Sequence, residues 1–211
     1  MSKRKIILAL ISFLAIQCTL LGQVSVTGPV CVIPGTVYLY NINANWDSSS
    51  TMQICIHGGI LVDSGGNDTC SHGGSLLIAT QVIWNDLSSA YISVSSSKGN
   101  ASLNVTITDP LRPGSIVDSC KTQTIAFNTS PLTIYCAPDT GGSCSPAYEF
   151  QWQQSSDAIV WLDVDGAITQ NLHITDLLSN TIYYRRKVKE TSSGSIGYSD
   201  VATVLVNPAL R

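Results

Sequence analysis

The sequence predicts an all-β protein, and three observations predict it. Most runs alternate bulky apolar residues with polar ones, as Tyr148–Ser155 does, which is the period of strands with one buried face. Ser, Thr, Val and Ile are abundant, and long runs of Glu, Lys, Leu and Ala are missing, which favours strands over helices. Short turn-like stretches separate the runs at the spacing of an antiparallel β-sandwich.

The composition sets the size of the fold and narrows the class of partner. The chain has 211 residues, which suits one large domain or two domains of about 90–100 residues each. Hydrophobic residues make up 44% of the chain, enough to build a core. Only 12% of the residues are charged and the net charge is −3, so we expect no basic patch and no nucleic-acid partner.

The N-terminus has the pattern of a signal peptide. Basic residues 3–5 precede an apolar run, Ile6–Ile16, that is shorter than the roughly 20 residues that span a bilayer. We predict a signal peptide over residues 1–22 and an extracellular or cell-surface location. A lipoprotein signal with its lipid on Cys18 is the less favoured alternative. No second apolar run of about 18 residues follows, so no transmembrane anchor is expected.

The remaining chain divides into two sets of predicted strands. Residues 23–108 predict about seven strands, with turns such as the one at residues 98–100, and this number fits an immunoglobulin-like sandwich. Residues 109–114 contain two prolines, which remove backbone donors and stiffen the chain, so a linker is predicted there. Residues 115–208 predict a second set of strands. The prediction is therefore two tandem immunoglobulin-like antiparallel β-sandwiches after a signal peptide.

The cysteines predict disulfide bonds, because export places them in an oxidising compartment. Cys136 and Cys144 bracket a turn-rich loop, and a bridge would close it. Cys55 and Cys70 would join two strands of the first half. Six cysteines follow the signal peptide and allow 15 connectivities. The two that remain would be buried thiols or would pair with each other across the two halves: Cys31 and Cys120.

Two groups of residues suggest metal sites as alternatives. Cys55-Ile-His57 and Cys70-Ser-His72 offer two thiols and two imidazoles, which suit tetrahedral zinc. Residues two apart on a strand are about 6–7 Å apart, which is wide for one ion, so the disulfide is favoured. Asp63 and Asp68 would offer oxygens to calcium, but their spacing lacks the dense pattern of a calcium loop. We therefore expect no metal and no cofactor.

Particular motifs carry a resemblance to known modules. In the first half they are Gly28–Cys31, Pro34-Gly35, Tyr38, Tyr40, Gly58-Gly59 and Val82–Trp84. In the second half they are Gly141-Gly142, Phe150–Ser155, Trp161, Asp165–Ala167, Leu177 and Tyr183–Val188. The first half resembles the PKD-like, immunoglobulin-like modules of bacterial cell-surface proteins. The second resembles a companion sandwich module of large secreted adhesin-like and RHS-repeat proteins. The resemblance implies a non-enzymatic role in adhesion or as a structural spacer, and it implies that the chain is part of, or a relative of, a larger surface protein.

Candidate catalytic residues are sparse, so we predict that the chain is not an enzyme. The chain has three histidines, and no nucleophile, phosphate-loop or zinc-protease motif accompanies them. His173 lies between two apolar residues, so alternation places it in solvent.

Alternation also predicts the environments of the remaining aromatic and basic residues. Trp152 and Trp161 lie in alternating runs and are predicted to be core residues. Arg185 and Arg186 are neighbours on one strand and must face opposite sides, with one of them stacked on a tryptophan. Trp46, in a polar loop, is the candidate surface contact for an unknown protein or glycan, and a carbohydrate-binding module is the alternative function. The binding surface is expected in the loops of the first half or at the junction near residues 110–113.

Overall fold

The computed structural model of the chain describes residues 24–43, 52–62, 70–73, 77–85 and 90–208. Strands hold 54% of these residues and helix only 3%, which confirms the all-β class. Among them, no helix is long and apolar enough to cross a membrane. The predicted signal peptide lies outside the described residues.

Two sheets are formed by the residues up to Ile107. One has the strand order β1-β3-β7-β5 and the other the order β2-β9-β8-β4-β6. All neighbours are antiparallel except β2 and β9, which run parallel, so this pair differs from the purely antiparallel prediction. The strands are β1 (Ser25–Thr27), β2 (Cys31–Val32), β3 (Val37–Asn43), β4 (Met52–His57), β5 (Gly59–Leu61), β6 (Cys70–Gly73), β7 (Leu77–Trp84), β8 (Ala90–Ser96) and β9 (Gly99–Ile107).

One hydrophobic cluster, which we call the first core, takes side chains from both of these sheets. Alternation explains it, because β4 buries every second residue and β8 does the same over most of its length. Trp84 and Tyr40 lie at its centre, both fully buried. Their rings meet edge to face with centroids 5.9 Å apart, and Trp84 Nε1 donates a 3.0 Å hydrogen bond to the Tyr40 hydroxyl.

A third sheet and a short helix follow. The sheet has the order β10-β15-β13-β11-β12, and β14 also pairs with β13. The pair β10 and β15 runs parallel, again unlike the antiparallel prediction. The elements are α1 (Asp118–Lys121), β10 (Thr122–Ala126), β11 (Tyr148–Ser155), β12 (Leu162–Asp163), β13 (Ile182–Glu190), β14 (Ile196–Tyr198) and β15 (Ala202–Asn207).

The second core covers one side of this third sheet and shares no residue with the first. Trp152 of β11 is fully buried in it, as its alternation predicted. Segments with single bridges supply the opposing side chains, since Ile116 pairs with Cys136 and Ile134 pairs with Leu172. Only isolated pairs form in these segments.

The segment predicted as a linker is hydrogen bonded to the second half. Arg112 and Thr140 exchange two backbone hydrogen bonds of 2.8 and 3.0 Å. The amide of Gly142 donates to the Asp109 carbonyl at 2.8 Å, and Gly114 donates to Asp139 Oδ1 at 2.9 Å. Residues 109–114 are therefore fixed by the 139–142 loop. The domain boundaries at 108 and 115 stay a prediction.

Candidate functional site

The outward side of β11 and β13 carries a continuous row of polar side chains, which we call the outer face. Strand β13 buries every second residue from Tyr184 to Glu190, so the residues between them point away from the core. The pairing of β11 with β13 sets these outward residues opposite one another in three cross-strand pairs. The pairs are Gln153 with Arg185, Gln151 with Lys187 and Glu149 with Lys189.

Arg185 is held between two aromatic rings on the outer face. Its guanidinium carbon lies 4.2 Å from the ring centroid of Trp161 and 4.2 Å from that of Tyr198. Its Nε donates a 2.9 Å hydrogen bond to Gln153 Oε1. In the part of the chain that the structure describes, no acceptor lies within hydrogen-bonding distance of its two Nη atoms. The guanidinium is therefore fixed in place with two donor nitrogens open.

A groove of about 230 Å³ continues the outer face away from Arg185. It is lined by Glu149, Phe150, Gln151, Asp163, Lys187 and Lys189. Lys189 is paired with Glu149 at 3.3 Å, and Asp163 accepts a 2.8 Å hydrogen bond from Gln153. Lys187 has no ion pair with any described residue. Two cationic groups on the face, Arg185 and Lys187, are thus not neutralised by carboxylates of the described chain.

The turn before Trp161, residues 155–160, presents apolar side chains to solvent. Asp157 Oδ1 accepts hydrogen bonds from the Ile159 amide at 2.8 Å and the Val160 amide at 2.9 Å. These two bonds, with one from the Ser155 hydroxyl, hold the pKa of the Asp157 carboxyl below its usual range. Ala158 adopts a left-handed φ of 59°, so the turn is tightly bent. Ile159 is 80% exposed and Val160 is 63% exposed.

The alternation prediction therefore failed at this edge of the sheet. Trp161 is half-buried beside Arg185 and is not a core residue. Only Leu162 and Asp163 form the edge strand, and Leu162 is 65% exposed. The prediction that Arg185 and Arg186 face opposite sides, with one of them stacked on a tryptophan, is confirmed by the contact of Arg185 with Trp161.

Behind the outer face, β13 carries a buried ion pair. Arg186 is fully buried, and its Nη2 lies 2.8 Å from Oδ1 of Asp139, whose side chain is 2% exposed. Arg186 Nη1 donates to the Gln170 carbonyl at 2.8 Å, and the guanidinium carbon lies 4.7 Å from the Phe150 ring centroid. Its Nε has no hydrogen-bond partner among the described residues. The pair fixes the 139–142 loop against the strand that presents Arg185.

Glu190 is the second buried charge of β13. Its carboxylate accepts hydrogen bonds from the Ser143 hydroxyl and from the amides of Ala147, Ser192 and Ser193. Desolvation alone would raise the pKa of this carboxyl, but the hydrogen bonds led by those from Ser193 outweigh it and lower the pKa to about 2. Glu190 therefore stays ionised and anchors the β13–β14 turn to the loop that contains Ser143.

The structure corrects part of the predicted disulfide pattern. Cys55 is bonded to Cys70, as the sequence suggested, because these residues lie opposite each other on β4 and β6. The expected Cys136–Cys144 bond is wrong, since Cys144 is bonded to Cys31, 113 residues away. Cys136 lies opposite Ile116 with its side chain in the second core and is a free thiol. Burial raises its pKa to about 11.

The Cys31–Cys144 bond, with the contacts around it, forms what we call the clamp between the first and second halves. Cys31 belongs to β2, beside Thr106 on β9, whereas Cys144 belongs to the loop that precedes β11. The Thr108 hydroxyl donates to the Ser143 carbonyl at 3.2 Å within the same region. The sequence left Cys31 and Cys120 without an assigned partner. In the structure Cys31 is bonded and Cys120 is a buried free thiol.

The structure contradicts one of the other predicted sites, and the rest lie outside the described residues. Trp46, Asp63 and Asp68 are not among the described residues, so the surface contact at Trp46 stays a prediction. The zinc reading of the Cys-x-His motifs is wrong, because both of its thiols are consumed by the Cys55–Cys70 disulfide. His57 stacks on Tyr91 with ring centroids 5.0 Å apart.

His173 is exposed, as alternation predicted, and lies 3.1 Å from the Thr133 hydroxyl. Within the described ranges, no group of three or more His, Cys, Asp or Glu residues is placed to hold a metal ion.

The sequence did not predict the outer face, because the residues that form it are far apart in the chain. Trp161, Arg185 and Tyr198 are separated by 24 and 13 residues, and only the sheet brings them together. The one local signal is the alternation of β13, which sets Arg185, Lys187 and Lys189 on the same side.

Comparisons with known proteins give a match to a protein family and structural similarities at low sequence identity. Residues 114–208 match the family described as "Domain of unknown function (DUF8696)". No curated protein matches the chain. The PKD-like and RHS-repeat resemblances stay predictions.

Three solved structures resemble the chain at low identity. A crystal structure of titin domains is 10% identical, with a TM-score of 0.46, over 83% of this chain and 61% of that one. A 282-residue fragment of intimin, solved with the intimin-binding domain of the translocated intimin receptor, is 11% identical with a TM-score of 0.44 over 88% and 63%. The C-terminal domain of a Streptococcus agalactiae AgI/II polypeptide is 7% identical with a TM-score of 0.43 over 87% and 100%. The chain therefore spans less than two thirds of the titin and intimin fragments.

Proposed function

We propose that this chain is an exported, surface-attached or secreted protein that acts in adhesion as a stiff β-sheet body and carries out no catalysis. The single observation that carries the proposal is the clamp. The Cys31–Cys144 bond joins a strand of the first sheets to a loop of the third, and residues 109–114 between them are hydrogen bonded to the 139–142 loop.

The clamp supports both the compartment and the mechanical role. A disulfide persists in an oxidising compartment, which agrees with the predicted signal peptide. A bond that closes a loop of 113 residues stabilises the folded chain by about 4–5 kcal/mol in the loop-entropy account. Because the bond spans the junction, it limits bending between the two cores. A body of this kind suits a spacer or an adhesive protein that must hold a binding face at a fixed distance.

The outer face supplies the adhesive part of the proposal. It combines two aromatic rings and an immobilised arginine, the residue types that dominate protein contacts. Exposed apolar side chains at the 155–160 turn lie beside them. Neither His57 nor His173 belongs to a catalytic group, since His57 stacks on Tyr91 and His173 contacts Thr133 at the surface.

The test removes the clamp and compares it with the removal of the other disulfide. Cys31→Ser with Cys144→Ser is expected to expose residues 109–114 to limited proteolysis and to broaden the particle dimensions in small-angle X-ray scattering. The matched control, Cys55→Ser with Cys70→Ser, should leave both measurements at the junction unchanged.

Compartment is tested on intact cells that express the full chain with residues 1–22. We expect the protein to be accessible to external protease, with Cys31 and Cys144 oxidised. A protein that stays inside the cell with reduced cysteines, or a clamp variant as compact and protease-resistant as wild type, would contradict the proposed function.

A further inference from the structure

We propose that the outer face binds an extended acidic segment of a partner protein, with two carboxylates at alternate positions and apolar side chains after them. This inference deepens the proposed adhesive role and rests on it. It commits to a protein segment because three features of the face select for one: the spacing of its cations, the open nitrogens of Arg185 and the position of its apolar turn.

The spacing of the cations matches an extended strand. Arg185 and Lys187 are two residues apart on β13 and point to the same side, so their positions are about 6–7 Å apart. An extended peptide presents its own alternate side chains at the same interval. A segment that runs along β13 therefore places one carboxylate at Arg185 and the next at Lys187. Lys189 is already paired with Glu149, so two acidic positions are expected to matter.

Arg185 is prepared to bind a carboxylate. The two rings and the hydrogen bond to Gln153 hold its guanidinium in one orientation, which reduces the entropy lost on binding. Its two open Nη atoms form the fork that pairs with both oxygens of a carboxylate. Lys187 adds a second charge without a described ion-pair partner to remove first.

The apolar turn at residues 155–160 determines which residues should follow the two carboxylates of the ligand. Ile159 and Val160 lie directly before Trp161 in the chain and are mostly exposed. The hydrogen bonds from their amides to Asp157 fix the turn, so these side chains are displayed without a loss of loop freedom on binding. A protein segment with Val, Ile or Leu after its acidic residues would cover them. A glycan fits less well, because one face of both aromatic rings is taken by the guanidinium of Arg185.

The test measures binding of fluorescein-labelled peptides to the full, disulfide-bonded chain by fluorescence anisotropy. The probe is a twelve-residue peptide with Glu at two alternate positions followed by Val-Ile-Val. Two matched peptides carry Gln at those positions or place the two Glu residues next to each other. We expect the alternate-Glu peptide to bind at least about tenfold more tightly than the Gln peptide, since only a carboxylate can form a charge-assisted bidentate contact with Arg185. Higher salt should weaken the difference.

Variants locate the binding on the face. Arg185→Gln should lower affinity for the alternate-Glu peptide about tenfold or more, and Lys187→Gln should lower it severalfold. Lys98→Gln removes the same charge from the turn between β8 and β9 and should change nothing. Circular dichroism melts of each variant check that the fold is intact.

Four results would overturn the inference: equal binding of the three peptides, equal loss from Lys98→Gln and Lys187→Gln, selective binding of acidic glycans on an array in place of peptides, and self-association of the chain by sedimentation that Arg185→Gln abolishes. None of these results changes the limited-proteolysis comparison between the clamp variant and its control. The failure of this inference is therefore distinct from the failure of the proposed function.

Discussion

The first and second cores bury polar groups in different ways. In the first core, the fully buried polar atoms at the centre are the Tyr40 hydroxyl and the Trp84 indole nitrogen, which are neutral and bonded to each other. In the second core, Arg186 and Glu190 are fully buried as charges on the same strand. A neutral hydrogen-bonded pair keeps its stability when the pH changes. A buried charge stabilises the fold only while each of its partners is present and ionised. The second half, which carries the outer face, is therefore the more fragile one.

The largest expected effect comes from removal of the partner of Arg186. Asp139→Ala leaves the guanidinium buried without its carboxylate and also removes the acceptor for the Gly114 amide. We expect a loss of about 3–5 kcal/mol in the stability of the second core, because an unpaired charge in the interior is costly. Hydrogen exchange of β13 should accelerate, while exchange of β7 in the first core should not.

The control for this prediction is an exposed carboxylate on the same sheet. Asp163→Ala removes only the hydrogen bond from Gln153 and should change stability by less than about 0.5 kcal/mol. If Asp139→Ala and Asp163→Ala had equal effects on β13 exchange, the contrast between the two cores would be wrong.

A smaller effect is expected in the first core. Tyr40→Phe removes the hydroxyl that accepts from Trp84 Nε1 and donates to the Pro29 carbonyl at 2.8 Å. The indole nitrogen is then buried without an acceptor, which costs about 1–3 kcal/mol. Urea unfolding, with hydrogen exchange of the β7 amides as the local probe, measures this loss of stability. Tyr91→Phe, on the exposed side of β8, removes the same atom and should be silent, and a loss there as large as that of Tyr40→Phe would refute this reading.

Some of this contrast could be predicted from the sequence, but only where local alternation decides it. The pattern of β13 predicted that Arg185 and Arg186 point to opposite sides, and the pattern of β11 predicted the burial of Trp152. Alternation cannot tell a central strand from an edge, so Trp161 was placed in the core. The bond between Cys31 and Cys144 joins residues 113 apart, and no local rule selects that partner over the nearer Cys136.

The next largest effect is expected in acid, which should destabilise the second core before the first. The pKa of Glu190 is lowered to about 2 in the folded chain, below its value in the unfolded chain near 4.5. Its contribution to stability is therefore present above about pH 4.5 and is lost as the pH falls towards 2. The described residues up to Thr108 carry no carboxylate side chain, so the first core lacks a group of this kind. We expect β13 amides to lose protection between pH 4.5 and 2 before β7 amides do.

Glu190→Gln sharpens the acid prediction. The variant should be less stable at neutral pH, because an amide replaces the acceptor of several hydrogen bonds, and its stability should vary less between pH 4.5 and 2. An unchanged acid profile in Glu190→Gln would assign the titration to other carboxyls of the second half, such as that of Asp157, whose pKa is also lowered.

The smallest expected effect concerns reactivity. Cys120 and Cys136 are free thiols in the second core, whereas Cys31, Cys55 and Cys70 of the first half are all bonded. At pH 8 the folded protein should leave both thiols unlabelled by iodoacetamide, because they are buried and the pKa of Cys136 is raised to about 11, which keeps its nucleophilic thiolate scarce. In urea without reductant, mass spectrometry should find both labelled, and the four bonded cysteines, Cys144 included, labelled only after reduction. A Cys120–Cys136 cross-linked peptide in the unreduced protein would show instead that the second core, like the first half, has its thiols bonded.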